Sequence, residues 1–364
     1  MQSIEFRNKL FEDELYHIIN FLQSAVSEIN ILTNGGYLIF TYIYTRKGFD
    51  HKMCGKTKVF IDGRSGTTGL RIYERLEARN DISLIVLNEE QRKDVSARKK
   101  AIGESDITFL CLPDSAAIQA VSLVENNSDT IIIDTSTAHR TLSGWEYGFP
   151  EISDYFCEKI KKSKRIAVPG CHASGFIALT APLVSAGIVP ADAHLCCFSL
   201  TGYSGGGKQM ISEYEASAES TLLRAPRQYG ITQEHKHLRE MQKICGLNYK
   251  PAFCPTVADF YSGMEVTVPL FIDDIRGNIK DIENIYSELY EGPIVKFTEH
   301  GDENGFLSAG AYSGKDSMEI SVYGNDERII LTARYDNLGK GASGAAIECM
   351  NLVIGTDPCK GLLL

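Results

Sequence analysis

The chain has 364 residues, with 37 Lys and Arg against 47 Asp and Glu, so its formal net charge is −10 at pH 7. This acidic balance argues against non-specific binding to nucleic acid, which usually needs a basic surface. Hydrophobic residues make up 43% and charged residues 23%, which is typical of a soluble globular protein. The length suffices for two domains, and the longest apolar runs, such as 36–44, are too short to span a membrane.

The cysteines indicate a reducing environment. There are 10 of them, without a CxxC pair, which is too few in a chain of this length to suggest a disulfide scaffold. No secretory signal leads the sequence. We therefore expect an intracellular, cytoplasmic protein.

Residues 1–55 differ from the rest of the chain. Apolar residues recur at near-helical spacing in 6–22, and an aromatic-rich run at 37–44 is compatible with a strand. The segment carries no recognisable chemistry and is too acidic and too poor in arginine for a typical transit peptide. One hypothesis is that the native protein starts at Met53, three residues before Lys56. The alternatives are an accessory segment or an organelle address.

A strand at 58–62 runs directly into the loop GRSGTTG at 63–69, and helical spacing follows. Glycines let a loop turn tightly and approach a pyrophosphate, and the N-terminus of the next helix offers free N–H groups. The pattern predicts a dinucleotide site, with a plain structural turn as the alternative. The expected cofactor-binding residues of this loop are Gly63, Ser65, Gly66, Thr67, Thr68 and Gly69.

The second strand, at 82–87, is followed by charges of both signs. Glu89 and Glu90 would favour NAD, because an acid at this position binds the ribose hydroxyl. Arg92 and Lys93 could instead hold the 2′-phosphate of NADP, or all four could be solvated loop charges. Further apolar strands at 107–112, where Cys111 falls, and at 131–134, with a helix from Ala116 between them, complete the pattern of a doubly wound α/β domain.

The sharpest chemical feature is Cys171. A strand at 165–168 and a Pro-Gly turn precede it, and helical spacing follows, so the cysteine is expected at a helix N-terminus. There the helix dipole lowers a thiol pKa and the turn exposes the sulfur to a cleft. The other nine cysteines lack this setting and are best interpreted as small hydrophobic residues. Cys171 is the candidate nucleophile, and an ordinary buried cysteine is the alternative.

His235 and His237 stand two residues apart, just before a helical stretch. Because histidine titrates near neutrality, either could protonate an oxyanion or accept the proton of a thiol. The alternatives are a solvated turn, a helix cap or a His-x-His metal site. No further Cys or acidic cluster has metal-site spacing, so no metal is expected.

Three further loops are candidates for ligand contact. Glycine-rich loops at 201–208 and 337–344 would let the backbone approach a ligand closely, or they are plain turns. The segment 135–140 ends a strand, where ligands sit in open α/β sheets, and its Arg140 could clamp a phosphate bidentately.

Together these motifs resemble the N-acetyl-γ-glutamyl-phosphate reductase family, in particular the shorter of its two sequence types. The resemblance extends from Lys56 to about residue 355. The motifs, in family order, are DGRSGTTGL at 62–70, CLPDSAA at 111–117, DTSTAHRT at 134–141, YGFPE at 147–151, VPGCHASGF at 168–176, TGYSGGG at 201–207, EHKHLREM at 234–241 and DNLGKGASGAA at 336–346. Two positions depart from the family pattern, namely His172, where tyrosine is frequent, and Arg239, where proline is frequent.

The resemblance implies a role for each motif. Cys171 would be the nucleophile, with His237, or else His235, as the acid/base. The glycine loop would hold the pyrophosphate of NADP(H). Positions implied to contact the phosphate site are Ser136 and Arg140, and those implied to lie beside the nicotinamide are Ser204, Gly205 and Asn337.

The resemblance also implies fold and function. We expect a Rossmann domain at 56–170, completed by 336–364, and a catalytic and oligomerisation α+β domain at 171–335, as in semialdehyde dehydrogenases. The implied reaction is NADPH-dependent reduction of N-acetyl-γ-glutamyl phosphate through a cysteine thioester, in arginine biosynthesis. Alternatives are a semialdehyde dehydrogenase for another acyl phosphate, or a non-enzymatic nucleotide-binding regulator, against which Cys171 and His237 argue. The expected partners are a small-molecule acyl phosphate and further copies of the chain, as a dimer or tetramer, and not nucleic acid or a membrane.

Overall fold

The computed structural model describes residues 30–34, 37–41, 55–124, 129–216 and 220–364. The chain divides into two compact units, residues 1–54 and 55–364. In the first unit β1 (Asn30–Asn34) and β2 (Tyr37–Thr41) form an antiparallel hairpin, with Asn30 opposite Thr41. The strand expected at 37–44 is therefore present at 37–41, and the helical spacing at 6–22 lies outside the described residues. No helix in the described ranges is long and apolar enough to cross a membrane.

The first half of the second unit alternates strands and helices. The elements are β3 (Thr57–Asp62), α1 (Thr67–Glu77), β4 (Ile82–Ile85), α2 (Val95–Glu104), β5 (Ile107–Leu110), α3 (Asp114–Ser122), β6 (Ile131–Asp134), β7 (Glu146–Tyr147), α4 (Asp154–Lys162) and β8 (Arg165–Ala167). The strands form a six-stranded sheet in the order β4-β3-β5-β6-β8-β7, and every neighbouring pair is parallel. Helices cover both faces of such a sheet, which explains the continuous apolar runs of β5 and β6.

The second half begins with α5 (Cys171–Ser185) and builds a mixed sheet. The remaining elements are β9 (Cys196–Gly202), α6 (Gly207–Ala216), α7 (Thr221–Arg224), β10 (Arg227–Gln228), α8 (Leu238–Cys245), β11 (Ala252–Ala258), β12 (Met264–Phe271), α9 (Ile279–Leu289), β13 (Val295–Phe297), β14 (Met318–Gly324), β15 (Arg328–Tyr335) and α10 (Gly344–Val353). The sheet order is β10-β11-β9-β12-β15-β14-β13. The β9–β11 and β13–β14 pairs are parallel and the others are antiparallel.

The mixed sheet has two different faces, because side chains alternate along each strand. In β12 the buried residues Met264, Val266, Val268 and Leu270 join one core cluster with the buried side chains of α5. The opposite face carries exposed apolar side chains on β9, β12 and β15. The sheet therefore buries one face within the chain and leaves apolar residues on the other.

Helix α10 packs into the core of the parallel sheet, where Ile347 and Met350 share a cluster with Val59 and Ile61 of β3. The fold class expected from the sequence, a Rossmann-like parallel sheet with a second α/β sheet, is confirmed.

Some element boundaries differ from the expected ones. Strand β5 ends at Leu110, two residues early, so that Cys111 lies just beyond it, and α3 begins at Asp114 and not at Ala116. Pro113 explains both shifts. It has no N–H to donate to a sheet, and it directly precedes the first helical residue. Residues 111–113 are consequently free to line a cavity at the sheet edge.

Candidate active site

A cavity of about 650 Å³ opens at the carboxyl ends of β3, β5 and β6. The chain leaves β3 toward β4 on one side and returns to β5 on the other, and open α/β sheets bind ligands at such a reversal. The residues that line the cavity are Gly66, Thr67, Thr68, Gly69, Cys111, Leu112, Pro113, Asp114, Ser115, Thr135, Ser136 and Lys236.

The glycine loop is shaped by close backbone contacts. Gly63 has φ +88°, and a Cβ there would lie 2.2 Å from the carbonyl oxygen of Cys111, so only glycine fits. A Cβ on Gly69 would lie 2.5 Å from the carbonyl oxygen of Gly63. The first turn of α1 therefore presents its free N–H groups at the cavity, as a pyrophosphate site requires. Ser65 is exposed and, like Gly63, lies outside the cavity lining.

Arg92 lies apart from the cavity lining. Its Nη2 is 2.6 Å from Glu89 Oε1, and its buried Nε has no hydrogen-bond partner. In the charged loop after β4, Arg92 is thus paired with Glu89. To bind Arg92, a 2′-phosphate would have to replace the Glu89 carboxylate as its partner.

Cys171 is half-buried at the N-terminus of α5, as expected, with Gly170 as the N-cap. Burial raises the pKa of its thiol, while the positive charges of Arg140 and Lys236 and the backbone N–H of His172 lower it. Gly341 closes one side, since a Cβ there would lie 3.1 Å from Cys171 Cβ. Burial is the largest of these effects, so the pKa of the thiol is raised overall, while the nearby cations and the helix N–H group reduce that rise.

A buried ion pair lies directly behind this turn. Arg140 Nη1 donates to Glu240 Oε1 at 2.7 Å, and both side chains are almost fully buried. Glu240 Oε2 accepts from the Tyr147 hydroxyl at 2.7 Å and from the backbone N–H of Gly170 at 3.1 Å. The carboxylate thereby ties α8 to the residue immediately before Cys171.

The remaining donors of Arg140 also bind the protein. Nε donates to Val168 O at 2.8 Å and Nη2 to Thr135 O at 3.0 Å. Each of its three nitrogens thus holds a protein acceptor, although the sequence suggested a bidentate phosphate clamp. Its charge nevertheless reaches Cys171, and a Cβ on Gly170 would lie 2.5 Å from Nη1.

His237 is buried beside the cysteine turn as the N-cap of α8. A Cβ on Gly170 would lie 2.4 Å from its Nε2, and its Nδ1 is buried without a hydrogen-bond partner. Burial lowers its pKa well below the usual 6.5, and the charge of Arg140 lowers it further. The ring is therefore neutral at physiological pH.

His235 lies 4.7 Å from His237 between ring centroids, and its Nδ1 accepts the backbone N–H of His237 at 3.2 Å. Burial lowers its pKa to about 4.

A third histidine, His172, packs against His235 and His237 to form a histidine cluster, and both of its ring nitrogens form hydrogen bonds. Its Nδ1 is 2.7 Å from Ser199 Oγ and its Nε2 is 2.5 Å from Tyr229 Oη, and burial lowers its pKa to about 3. Both ring nitrogens are already engaged, so we interpret His172 as a structural member of the cluster.

The two loops implied to lie beside a nicotinamide meet each other. Asn337 Nδ2 donates to Ser204 Oγ at 2.9 Å, and Asn337 Oδ1 accepts from Gly263 N at 3.0 Å. Gly205 lies against the same amide, with a Cβ position 3.3 Å from Nδ2. Near the cavity, Ser136 is held by Asp134, which accepts from both its N–H and its hydroxyl.

Glu240 and Lys236 were not singled out from the sequence. Glu240 follows His237 by three residues, a spacing that places both on one face of a helix, and this was the available signal. Lys236 lies between the two histidines. Within the described part of the chain, no group of three or more His, Cys, Asp and Glu side chains is arranged to hold a metal ion.

A parallel nucleotide-binding sheet, a mixed second sheet and a cysteine at a helix N-terminus define a dinucleotide-dependent dehydrogenase of the semialdehyde dehydrogenase type. The family description "Semialdehyde dehydrogenase, dimerisation domain" matches residues 171–337. Aspartate semialdehyde dehydrogenase II from Vibrio cholerae has the same fold, with a TM-score of 0.63 at 16% identity over 82% of this chain and 99% of that one. The Candida albicans aspartate semialdehyde dehydrogenase with NADP gives 0.58 at 14% identity, over 82% and 99%.

Relatives with higher sequence identity show which family within this class the chain belongs to. N-acetyl-gamma-glutamyl-phosphate reductase 2 of Nostoc sp. is 40% identical over 84% of this chain and 99% of its own length. The N-acetyl-gamma-glutamyl-phosphate reductase of Brucella ovis is 41% identical over 82% of this chain and 99% of its own. The chain therefore belongs to the N-acetyl-γ-glutamyl-phosphate reductase family, as its motifs predicted.

The Glu240 contacts yield a test. Glu240→Gln leaves Arg140 buried without a carboxylate, so the free energy of unfolding should fall by about 3 kcal/mol. The pKa of Cys171 should fall too, because the Glu240 charge raises it and the Arg140 charge remains. Urea unfolding and the pH dependence of iodoacetamide alkylation at Cys171 measure the two effects.

The matched control is Glu158→Gln. Glu158 is exposed on α4 and pairs with Lys161 at 2.8 Å, so its loss should leave both quantities nearly unchanged. An alkylation midpoint that stays in place or moves to higher pH in Glu240→Gln would contradict the electrostatic account.

Proposed function

We propose that this enzyme reduces N-acetyl-γ-glutamyl phosphate to N-acetylglutamate semialdehyde and phosphate, in arginine biosynthesis, with Cys171 as nucleophile and NADPH as reductant. The observation that carries the proposal is the position of Cys171, at a helix N-terminus between Arg140 and a neutral, buried His237. Family membership supplies the substrate class.

The residues around Cys171 support a thioester route. Neutral His237 accepts the thiol proton, and the Cys171 thiolate attacks the acyl carbon. The bond from carbon to the phosphate oxygen breaks, phosphate leaves with the electron pair, and a thioester remains on Cys171. NADPH, when bound, supplies the hydride that reduces the thioester carbon. The resulting thiohemiacetal oxyanion forms the C=O of the semialdehyde as the bond from sulfur to carbon breaks, and the departing Cys171 thiolate takes its proton back from His237.

His237 suits the proton transfer better than His235. It is closer to the cysteine turn, it is buried, and its Nδ1 has no partner that fixes the ring in one protonation state. His235 is half-buried and its Nδ1 already accepts the backbone N–H of His237. We therefore assign the acid/base role to His237 and a supporting role to His235.

The assignment predicts different kinetics for two variants. His237→Asn should lower kcat by ~10²–10⁴-fold, the usual contribution of general acid–base catalysis. Its residual rate should rise with pH, because the thiol must then lose its proton to solvent. His235→Asn should raise KM more than it lowers kcat. Steady-state rates from pH 5 to 9 provide the measurement, and a kcat collapse confined to His235→Asn would reverse the assignment.

We propose NADP(H) as the cofactor. The cavity and the free N–H groups of α1 fit a pyrophosphate, with Gly66, Thr67, Thr68 and Gly69 as the residues that would hold it. Arg92 lies in the turn after β4, where this fold places the adenosine ribose, and would bind the 2′-phosphate once released from Glu89.

Substrate and cofactor can be tested in one assay in the oxidative direction. We expect phosphate-dependent reduction of NADP⁺ with N-acetylglutamate semialdehyde, little with aspartate semialdehyde, and a lower kcat/KM with NAD⁺. Arg92→Ala should reduce kcat/KM for NADP⁺ and leave that for NAD⁺ nearly unchanged. The charge-matched control is Lys100→Ala, which removes an exposed cation of α2 that lies near Glu104. Equal use of both cofactors by the unmutated enzyme would refute the NADP preference, and a preference for aspartate semialdehyde would refute the substrate.

We propose that two copies of the chain associate through the open face of the mixed sheet. Phe198, Phe271 and Ile330 are 51%, 59% and 41% exposed on the neighbouring strands β9, β12 and β15. Large apolar side chains exposed together on one sheet face are typical of an interface, and a twofold axis lets the same face pair with itself. The family description for this region is a dimerisation domain.

The interface proposal predicts that Phe198→Asp lowers the mass of the assembly in analytical ultracentrifugation, because a buried, unpaired charge opposes association. Ile118→Asp, at an exposed apolar position on α3, should leave the assembly intact. An unchanged assembly in Phe198→Asp would place the interface elsewhere.

A further inference from the structure

Lys236 has a position that the proposed catalytic steps do not use. It is exposed and lines the cavity together with Thr135 and Ser136 of the loop after β6, and it lies two residues before α8. Its neighbours in sequence are the two histidines of the cysteine site. Lys236 therefore connects the nucleotide cavity with the reaction centre.

The electrostatic surroundings of Cys171 contain two cations, Arg140 and Lys236. Arg140 is committed to Glu240 and to two backbone carbonyls. Lys236 forms no ion pair with any carboxylate in the described residues within the usual 4.0 Å. Of these two charges, only the ammonium of Lys236 is free to bind an incoming anion.

One carboxylate in the cavity, Asp114, could compete with an incoming anion for Lys236. The charge of Lys236 reaches Asp114, but no ion pair joins the two side chains. Asp114 lines the same cavity, but its Oδ1 accepts the backbone N–H of Thr137 at 2.9 Å and its Oδ2 accepts the Thr137 hydroxyl. Both oxygens of Asp114 are thus oriented by residue 137.

We propose that the Lys236 ammonium binds the phosphoryl group of the acyl phosphate, and inorganic phosphate in the reverse reaction. This inference rests on the proposed function. The glycine loop at the N-terminus of α1 already offers N–H groups to the dinucleotide pyrophosphate, whereas Lys236 lies between His235 and His237 in sequence and its charge reaches Cys171. The phosphoryl group is joined through one oxygen to the carbon that Cys171 attacks, so it must lie close to the sulfur. Lysine, as a compact point charge with three donors, suits a phosphate dianion there.

The assignment revises the expected phosphate contacts. Arg140 supplies charge and holds the cysteine turn, and direct contact with phosphate passes to Lys236. Ser136 and Thr135 line the same cavity as Lys236. As phosphate leaves with the bonding electron pair, the ammonium stabilises the charge that develops on the leaving oxygen.

Inorganic phosphate is the probe for a test that needs no turnover. Phosphate should slow alkylation of Cys171 by iodoacetamide, a neutral reagent, in the full-length unmutated enzyme. In Lys236→Gln the phosphate concentration that gives half-protection should rise about tenfold or more, since a charge-assisted contact is lost. Lys236→Arg should restore most of the protection. Arg239→Gln, which removes an exposed charge outside the cavity lining, should behave as the unmutated enzyme.

Kinetics distinguish the substrate phosphate from the cofactor phosphates. In the oxidative direction Lys236→Gln should raise KM for phosphate about tenfold while KM for NADP⁺ stays unchanged. An unchanged half-protection concentration and an unchanged KM for phosphate would overturn the proposal. So would a raised KM for NADP⁺ with phosphate unaffected, which would assign Lys236 to the dinucleotide. Lys236-dependent protection in an enzyme that is inactive with N-acetylglutamate semialdehyde would support the phosphate site and refute the proposed substrate.

Discussion

The reaction centre depends on one buried ion pair, between Arg140 and Glu240. Arg140 follows the parallel sheet and Glu240 lies on α8, beside the mixed sheet, and the two residues lie 100 apart in sequence. Two charges removed from water stay stable only when each is paired and its remaining hydrogen-bonding capacity is satisfied. Here Val168, Thr135, Tyr147 and Gly170 satisfy it. The pair therefore has one arrangement, and that arrangement fixes the backbone from which α5 and Cys171 begin.

The same pair sets the electrostatic balance at Cys171. Burial and the charge of Glu240 raise the pKa of its thiol, and Arg140, Lys236 and a helix N–H group lower it. These opposing effects keep the thiol protonated at rest and make the thiolate accessible once a base accepts its proton. Neutral His237, beside Gly170, is the base that we propose for that transfer. In the proposed mechanism, Lys236 binds the phosphate of the substrate. Different residues would therefore assist the attack of Cys171 and the departure of phosphate.

Sequence patterns predicted the parallel sheet, the glycine loop and the helix that starts at Cys171, because each depends on local periodicity, on a proline or on glycine conformation. The Arg140–Glu240 pair could not be predicted from local patterns, because it forms only when segments 100 residues apart in sequence pack together. Arg140 by itself suggested a phosphate ligand, and its actual acceptors could not be read from its neighbours in sequence. The choice between His235 and His237 likewise depended on burial and on which ring nitrogen is already bonded. Arg92 is a similar case. Glu89 was a candidate ligand residue in the same loop, but the sequence did not show that the two side chains pair with each other.

The proposed thioester route requires a covalent acyl group on Cys171, which can be trapped in the oxidative direction. The enzyme would be mixed with N-acetylglutamate semialdehyde and NADP⁺ without phosphate, the reaction quenched in acid, and the peptide that contains Cys171 weighed by mass spectrometry. We expect a rapid burst of about one NADPH per subunit, because an acyl-enzyme then accumulates. An N-acetylglutamyl adduct should appear on Cys171 and disappear when phosphate is added, and Cys171→Ser should give neither. Full turnover with phosphate but no burst and no adduct on Cys171 would contradict the thioester mechanism.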